Sequence, residues 1–136
     1  MWCAIVLIVT EEELALRRAI FESFAAEGAP PDVPDSPELR ALATAHVVVL
    51  DDDGRIVAAH PFAAHHDGAR VDADGRIWWG NCAWDGLGIV AALGLDDATV
   101  TAQGLTLTVR DGSVSGDAVF HVLVPAAHWW DDIAHT

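Results

Sequence analysis

Arg76-Ile77-Trp78-Trp79-Gly80-Asn81-Cys82-Ala83-Trp84-Asp85-Gly86-Leu87-Gly88 is the stretch on which the reading of the chain turns. Arg76 to Trp79 predicts the end of a strand. Gly80-Asn81 predicts a break, and a helix begins at Cys82. Asn81 is a good helix cap, because its side-chain oxygen can accept a first-turn N–H. That places Cys82 in the first turn, where the positive end of the helix dipole favours thiolate over thiol. Asp85 follows three residues on, so the two side chains share a helix face. A thiol and a carboxyl group side by side, walled by Trp78, Trp79 and Trp84, point to chemistry. The plainer alternative is a buried cysteine that only packs, with Asp85 an ordinary first-turn acid.

Outward from that stretch the chain reads as alternating turns and short elements. Upstream, Val71-Asp72-Ala73-Asp74-Gly75-Arg76-Ile77 predicts a hairpin closed by Asp-Gly. The residues from His60 to Gly68 read as a loop. Before it, His46 to Leu50 and Arg55 to Ala59 flank Asp51-Asp52-Asp53-Gly54, a second hairpin. Thr10 with Glu13 forms a capping box for a helix to about Glu27, in which Leu16, Ile20, Phe21 and Phe24 make the apolar face. Gly28 stops it and Pro30-Pro31 forbid its continuation. Ser36 caps a shorter helix with Pro37 at its first position, and Leu39 and Leu42 turned inward.

Downstream, the Cys82 helix runs to about Leu93 and stops at Gly94. Strands are expected at 98–103, 105–109 and 118–124, with a turn at Asp111-Gly112. Residues 126–134 predict a short helix carrying Trp129-Trp130, of which one packs on the core and the other rims the pocket or an interface.

The chain of 136 residues is 52% hydrophobic and carries a net charge of −14, with 21 acids against 7 basic residues, all arginine. One domain, or a small domain with an appendage, fits that length. Helix, helix, hairpin at the start resembles a winged-helix unit. Its would-be recognition segment, 36–45, has a single arginine, Arg40, and phosphate contacts need clustered cations. No nucleic-acid partner is therefore expected, and no anionic membrane surface. The apolar run from Trp2 to Val9 is too short to span a bilayer and too acidic in its flank for a signal peptide. Two cysteines, Cys3 and Cys82, make no disulfide framework, so a reduced, cytoplasmic setting is expected. His60, His65, His66 and Asp67 crowd one loop and could hold a metal, against the alternative of a solvated loop. His121 reads more simply as a structural histidine.

The sequence resembles the alkylmercury lyase (organomercurial lyase) family. The resemblance rests on the aromatic pair, small residues and Cys82-Ala83-Trp84-Asp85. It is supported by Ala58-Ala59-His60-Pro61-Phe62 and by Val122-Leu123-Val124-Pro125-Ala126-Ala127-His128-Trp129-Trp130-Asp131-Asp132-Ile133. It extends over most of the chain from about Thr10. It implies an α+β fold: a winged-helix-like N-terminal part (1–60), then a small antiparallel or mixed sheet bearing the Cys82 helix (61–136).

The activity implied is protonolysis of a carbon–mercury bond in a small organomercurial substrate, with no cofactor. The resemblance places the mercury-binding thiolate on Cys82 and the proton donor on Asp85. Soft thiolates suit a soft metal. A carboxyl group beside a thiolate in an aromatic pocket would keep its proton more readily and could act as general acid. Phe62, Trp78, Trp79, Trp84 and His121 are the expected pocket residues.

The family's second cysteine falls on a strand shortly before the Val-Pro matched by Val124-Pro125. Ser115-Gly116-Asp117-Ala118-Val119-Phe120 holds no cysteine, so Cys3 is the other thiol that could share mercury. This departure opens two alternatives: a divergent enzyme using Cys82 and Asp85 on a non-mercurial compound, or a non-catalytic binder of a soft metal or small molecule. The oligomeric state is left open.

Overall fold

The computed structural model describes residues 9–120 and 124–131. Helix α1, Glu11–Glu27, begins at the expected capping box: the Glu13 N–H donates to Thr10 Oγ1 at 3.1 Å, and the Thr10 N–H to Glu13 Oε2 at 3.3 Å. Gly28, in the left-handed region, ends it and donates its N–H back to Phe24 O. Helix α2, Pro37–Thr44, starts at Ser36, whose hydroxyl oxygen accepts from the Leu39 N–H. The arginine of that segment, Arg40, is paired with Asp35.

Three short strands follow in an antiparallel sheet of order β1-β2-β3: β1 Val49–Leu50, β2 Ile56–Ala59 and β3 Phe62–Ala63. The segment after His60 is thus not wholly a loop. A turn with a cis His60-Pro61 bond folds Phe62 and Ala63 back onto Ala59 and Ala58. Strand pairing also begins later than expected, at Val49.

The second sheet has five strands in the order β5-β4-β6-β7-β8: β4 Ala69–Ala73, β5 Arg76–Gly80, β6 Ala98–Ala102, β7 Leu105–Arg110 and β8 Ser113–Ser115. Every pairing is antiparallel, the first of the two arrangements expected for this sheet. Helix α3, Ala83–Leu93, crosses between β5 and β6. The strand expected at 118–124 falls earlier, at β8. Residues 118–120 are not in a strand, and 121–123 lie outside the described residues. The C-terminal helix is a 3₁₀ helix over Ala126–Asp131.

The strand sequences alternate, and the structure uses the alternation. Ala69, Val71 and Ala73 of β4, Ala98, Val100 and Ala102 of β6, and Leu107 and Val109 of β7 are buried. Helix α3 lies on β4, β5 and β6, with Ile89 and Val90 buried. Gly86 permits the approach, since a Cβ there would stand 2.5 Å from Val100 Cγ1 and 3.3 Å from Ala69 Cβ.

The same buried cluster continues without a break into the first sixty residues, through Ile20, Phe24, Leu39, Leu42, Val48 and Ile56. Phe62 sits at the junction, stacked on Phe24 at 5.5 Å and edge-on to Phe21 at 6.4 Å. At the other side, β5 grips the end of α1. The Trp78 Nε1–H donates to Ala25 O at 3.1 Å, and Arg76 Nη2 donates to Ala25 O and Ala26 O at 2.7 and 2.6 Å. Helix α1 has no basic residue in its own last turn, so Arg76 supplies the cation its C-terminus favours.

Candidate active site

The site is built where β5 ends and α3 begins. Cys82 is itself the helix cap, with extended backbone angles (φ −144°, ψ 173°) and its carbonyl accepting the Gly86 N–H at 3.0 Å. Asn81, expected to be the cap, lies one residue outside the helix, and its side chain turns away: Asn81 Oδ1 meets His65 Nε2 at 2.6 Å. Cys82 makes no side-chain capping bond and is exposed.

Although Cys82 as a whole is exposed, enough protein surrounds the sulfur that burial pushes its pKa up. The negative charge of Asp85 adds to this. The backbone N–H groups of Asp85 and Trp84 pull the other way, and they do not prevail. The expected helix-end preference for thiolate is therefore outweighed by burial.

Asp85 stands at the third helical position with its side chain 18% exposed. The Asn81 backbone N–H donates to Asp85 Oδ2 at 3.2 Å, so the carboxylate is tied to the strand end. On its other flank, His60 Nδ1 lies 3.7 Å from the same oxygen. His60 Nε2 is buried and has no hydrogen-bond partner among the described residues. Trp130 meets the His60 ring edge-on at 5.6 Å and stacks on His46 at 4.1 Å. Of the two C-terminal tryptophans, Trp130 thus borders the site through His60. Trp129 is half-buried and donates its Nε1–H to Val124 O at 2.7 Å.

The expected aromatic wall is dispersed. Trp84, 64% exposed, packs edge-on with Phe120 at 5.3 Å beside the Cys82 cap. Trp79 stacks with His66 at 5.1 Å. Trp78 does not join them: it is 2% exposed, held against α1, and borders a separate groove with Glu22, Ala25, Arg76 and Leu95. Strand alternation forces this, because adjacent residues point to opposite faces. Phe62 is likewise a core residue, 3% exposed between Phe21 and Phe24. Cys3 and His121 lie outside the described residues.

The histidine loop does not form a metal centre. His65 pairs with Asp67 and Asn81, His66 stacks on Trp79, and His60 faces Asp85. Among the described residues no three metal-ligating side chains converge. None of their helices is long and apolar enough to cross a membrane. Sequence reasoning placed His60 only in a possible metal-holding loop; the stretch Ala58-Ala59-His60-Pro61-Phe62, which supports the family resemblance, was the available signal for a place beside Asp85.

An α+β chain with two antiparallel sheets and a cysteine-capped helix on the larger one defines the fold class. A solved structure with a similar fold is the mercury-bound form of MerB2, with a TM-score of 0.61 and 21% sequence identity, over 79% of this chain and 60% of that one. The chain thus spans about three-fifths of the length of the structure it matches. No protein-family model matches the sequence. No curated protein matches it either.

Proposed function

We propose that this protein is an alkylmercury lyase-like enzyme that cleaves the carbon–mercury bond of a small organomercurial by protonolysis. The observation that carries the reading is the placement of Cys82 at the cap of α3 and Asp85 three residues on, within its first turn. The fold likeness to mercury-bound MerB2 and the resemblance of the Cys82 stretch to organomercurial lyases support it.

The chemistry starts from a Cys82 thiol that burial helps to keep protonated. Binding R–Hg⁺ to Cys82 forms an S–Hg bond and releases the thiol proton, as metal binding to cysteine does. Asp85 is the neighbouring base and takes that proton. It then delivers the proton to the carbon bound to mercury. The electron pair of the C–Hg bond becomes the C–H bond of the hydrocarbon, and Hg(II) remains on the Cys82 sulfur until an external thiol removes it. Trp84 and Phe120 offer the organic group an apolar ledge. Residues 1–60, winged-helix-like in the order of their elements, act as a scaffold for the part from 61 on. A cytoplasmic setting, where thiols stay reduced, suits a free Cys82.

Phenylmercury incubated with the protein and excess thiol should yield benzene catalytically, and Cys82→Ser should abolish it. A single tightly held phenylmercury adduct without benzene would overturn the reading. One observation favours a second one: the sequence has only two cysteines, and the stretch matching the family's second cysteine contains none. Shared ligation by two thiolates weakens a C–Hg bond more than one does. If turnover is absent, the pair serves a non-mercurial substrate through thiolate attack, or Cys82 binds a soft ligand without turnover.

A further inference from the structure

His60 Nε2 is the one buried side-chain polar atom among the described residues without a hydrogen-bond partner, and the half-buried ring that carries it faces the carboxylate of the site. Such atoms are rare, because a buried polar group without a partner costs stability, and each needs an explanation. The surroundings of His60 show that its position is imposed. The cis His60-Pro61 turn is wedged against both elements of the site. A Cβ on Gly80, at the end of β5, would come within 3.0 Å of Pro61 O, and one on Gly88 of α3 within 3.0 Å of Pro61 Cβ. Glycine at both places lets the turn close in, and Trp130 covers the imidazole from outside.

We propose that His60 is a positioning residue that acts through Asp85. This rests on the reading of Asp85 as the proton carrier. The Asn81 N–H and His60 Nδ1 both address Oδ2, from the strand end and from the turn. Oδ2 is thereby held, and Oδ1, which neither group engages, is the oxygen that carries the proton between Cys82 and the reacting carbon. The 3.7 Å separation is an ion-pair distance rather than a hydrogen bond. Contacts of this kind commonly tighten when substrate is in place.

The two imidazole nitrogens make the test specific. Asparagine at position 60 places its side-chain amide near Nδ1, whereas glutamine places it near the unpartnered Nε2. With phenylmercury and excess thiol, His60→Ala and His60→Gln should lower kcat by roughly ten-fold or more, with KM little changed, since misplacing a proton carrier slows the chemical step. His60→Asn should recover activity to within about three-fold of wild type on the same ground. In an Asp85→Asn background, His60→Ala should cause no further loss. Full activity in His60→Ala, or equal loss in the asparagine and alanine variants, would overturn the proposal.

If the wild-type protein releases no benzene, it is the lyase reading that fails. The pairing is then tested by thermal melting alone. The double variant H60A/D85N should lose less in Tm than the two single losses added together, and additive losses would overturn it.

Discussion

A Cβ placed on Gly80 would stand 2.8 Å from the Cβ of Asp85. The last residue of β5 and the acid of α3 are thus in van der Waals contact, with no room for a methyl group between them. The strand end fixes where the carboxylate lies, and the Asn81 N–H next to it fixes one carboxylate oxygen.

Gly80→Ala should therefore act on the site before it acts on the fold. The inserted methyl meets Asp85 and the Pro61 backbone, so α3 or the turn must shift. A destabilisation of about 1–3 kcal/mol is expected for such overpacking. The loss of benzene release should exceed what the lowered Tm explains. Wild-type activity in a stable Gly80→Ala protein would show that the contact does not position Asp85.

Asp85→Asn should lower the pKa of Cys82. The substitution keeps the backbone N–H groups that pull the thiol down and removes the carboxylate charge that pushes it up. In a Cys3→Ser background, the pH profile of Cys82 alkylation by iodoacetamide should lie above that of an ordinary thiol, and it should move to lower pH in Asp85→Asn. Folded-state elevation also sets a sign for stability. The contribution linked to this thiol is present below the unfolded thiol pKa and is lost as pH rises through the folded value. Alkylation of the wild type as a low-pKa thiolate would contradict both statements.

Trp78→Phe separates the core from the site. The ring is retained under Arg76, while the Nε1–H bond to Ala25 O is lost. A cost of about 1 kcal/mol is expected from one such hydrogen bond. The rate of Cys82 alkylation should not change, and a changed rate would place Trp78 in communication with the site.

Trp84→Ala should do the reverse. Trp84 is 64% exposed, so truncation should alter stability by no more than about 0.5 kcal/mol. Its loss removes half of the Trp84–Phe120 ledge, and KM for phenylmercury should rise while kcat holds. An unchanged KM would show that the organic group lies elsewhere.

Phe24→Ala tests the junction between the first sixty residues and the larger sheet. Phe24 is fully buried and stacked on Phe62. Truncation should cost about 3–5 kcal/mol, measured by denaturant unfolding. A single cooperative transition in the wild type is expected, because one buried cluster joins both parts.

The features readable in the sequence are those set by neighbours along the chain. Thr10 with Glu13, Ser36 with Pro37, Gly28, Gly94 and the Asp74-Gly75 turn mark where elements start and stop, because caps and turns are local chemistry. That Cys82 and Asp85 fall within one turn of the chain was legible for the same reason, since their spacing of three residues sets it. The cap itself was misplaced by one residue. Asn81 has the better capping side chain, but His65, sixteen residues away, engages it, and Cys82 takes the position by its backbone angles.

What only the tertiary structure decided lies across the chain. Trp78 and Trp79 are adjacent in sequence yet serve the core and the surface, because α1 lies against one face of β5. The direction of the Cys82 pKa depended on how much protein surrounds the sulfur, which no spacing reveals. His60 is twenty-five positions from Asp85 and meets it because two glycines let a turn close onto α3. The sequence by itself set Cys82 and Asp85 three residues apart, within one turn at the start of α3. The place of His60 beside Asp85 was settled by packing, through the space left where Gly80 and Gly88 carry no side chain.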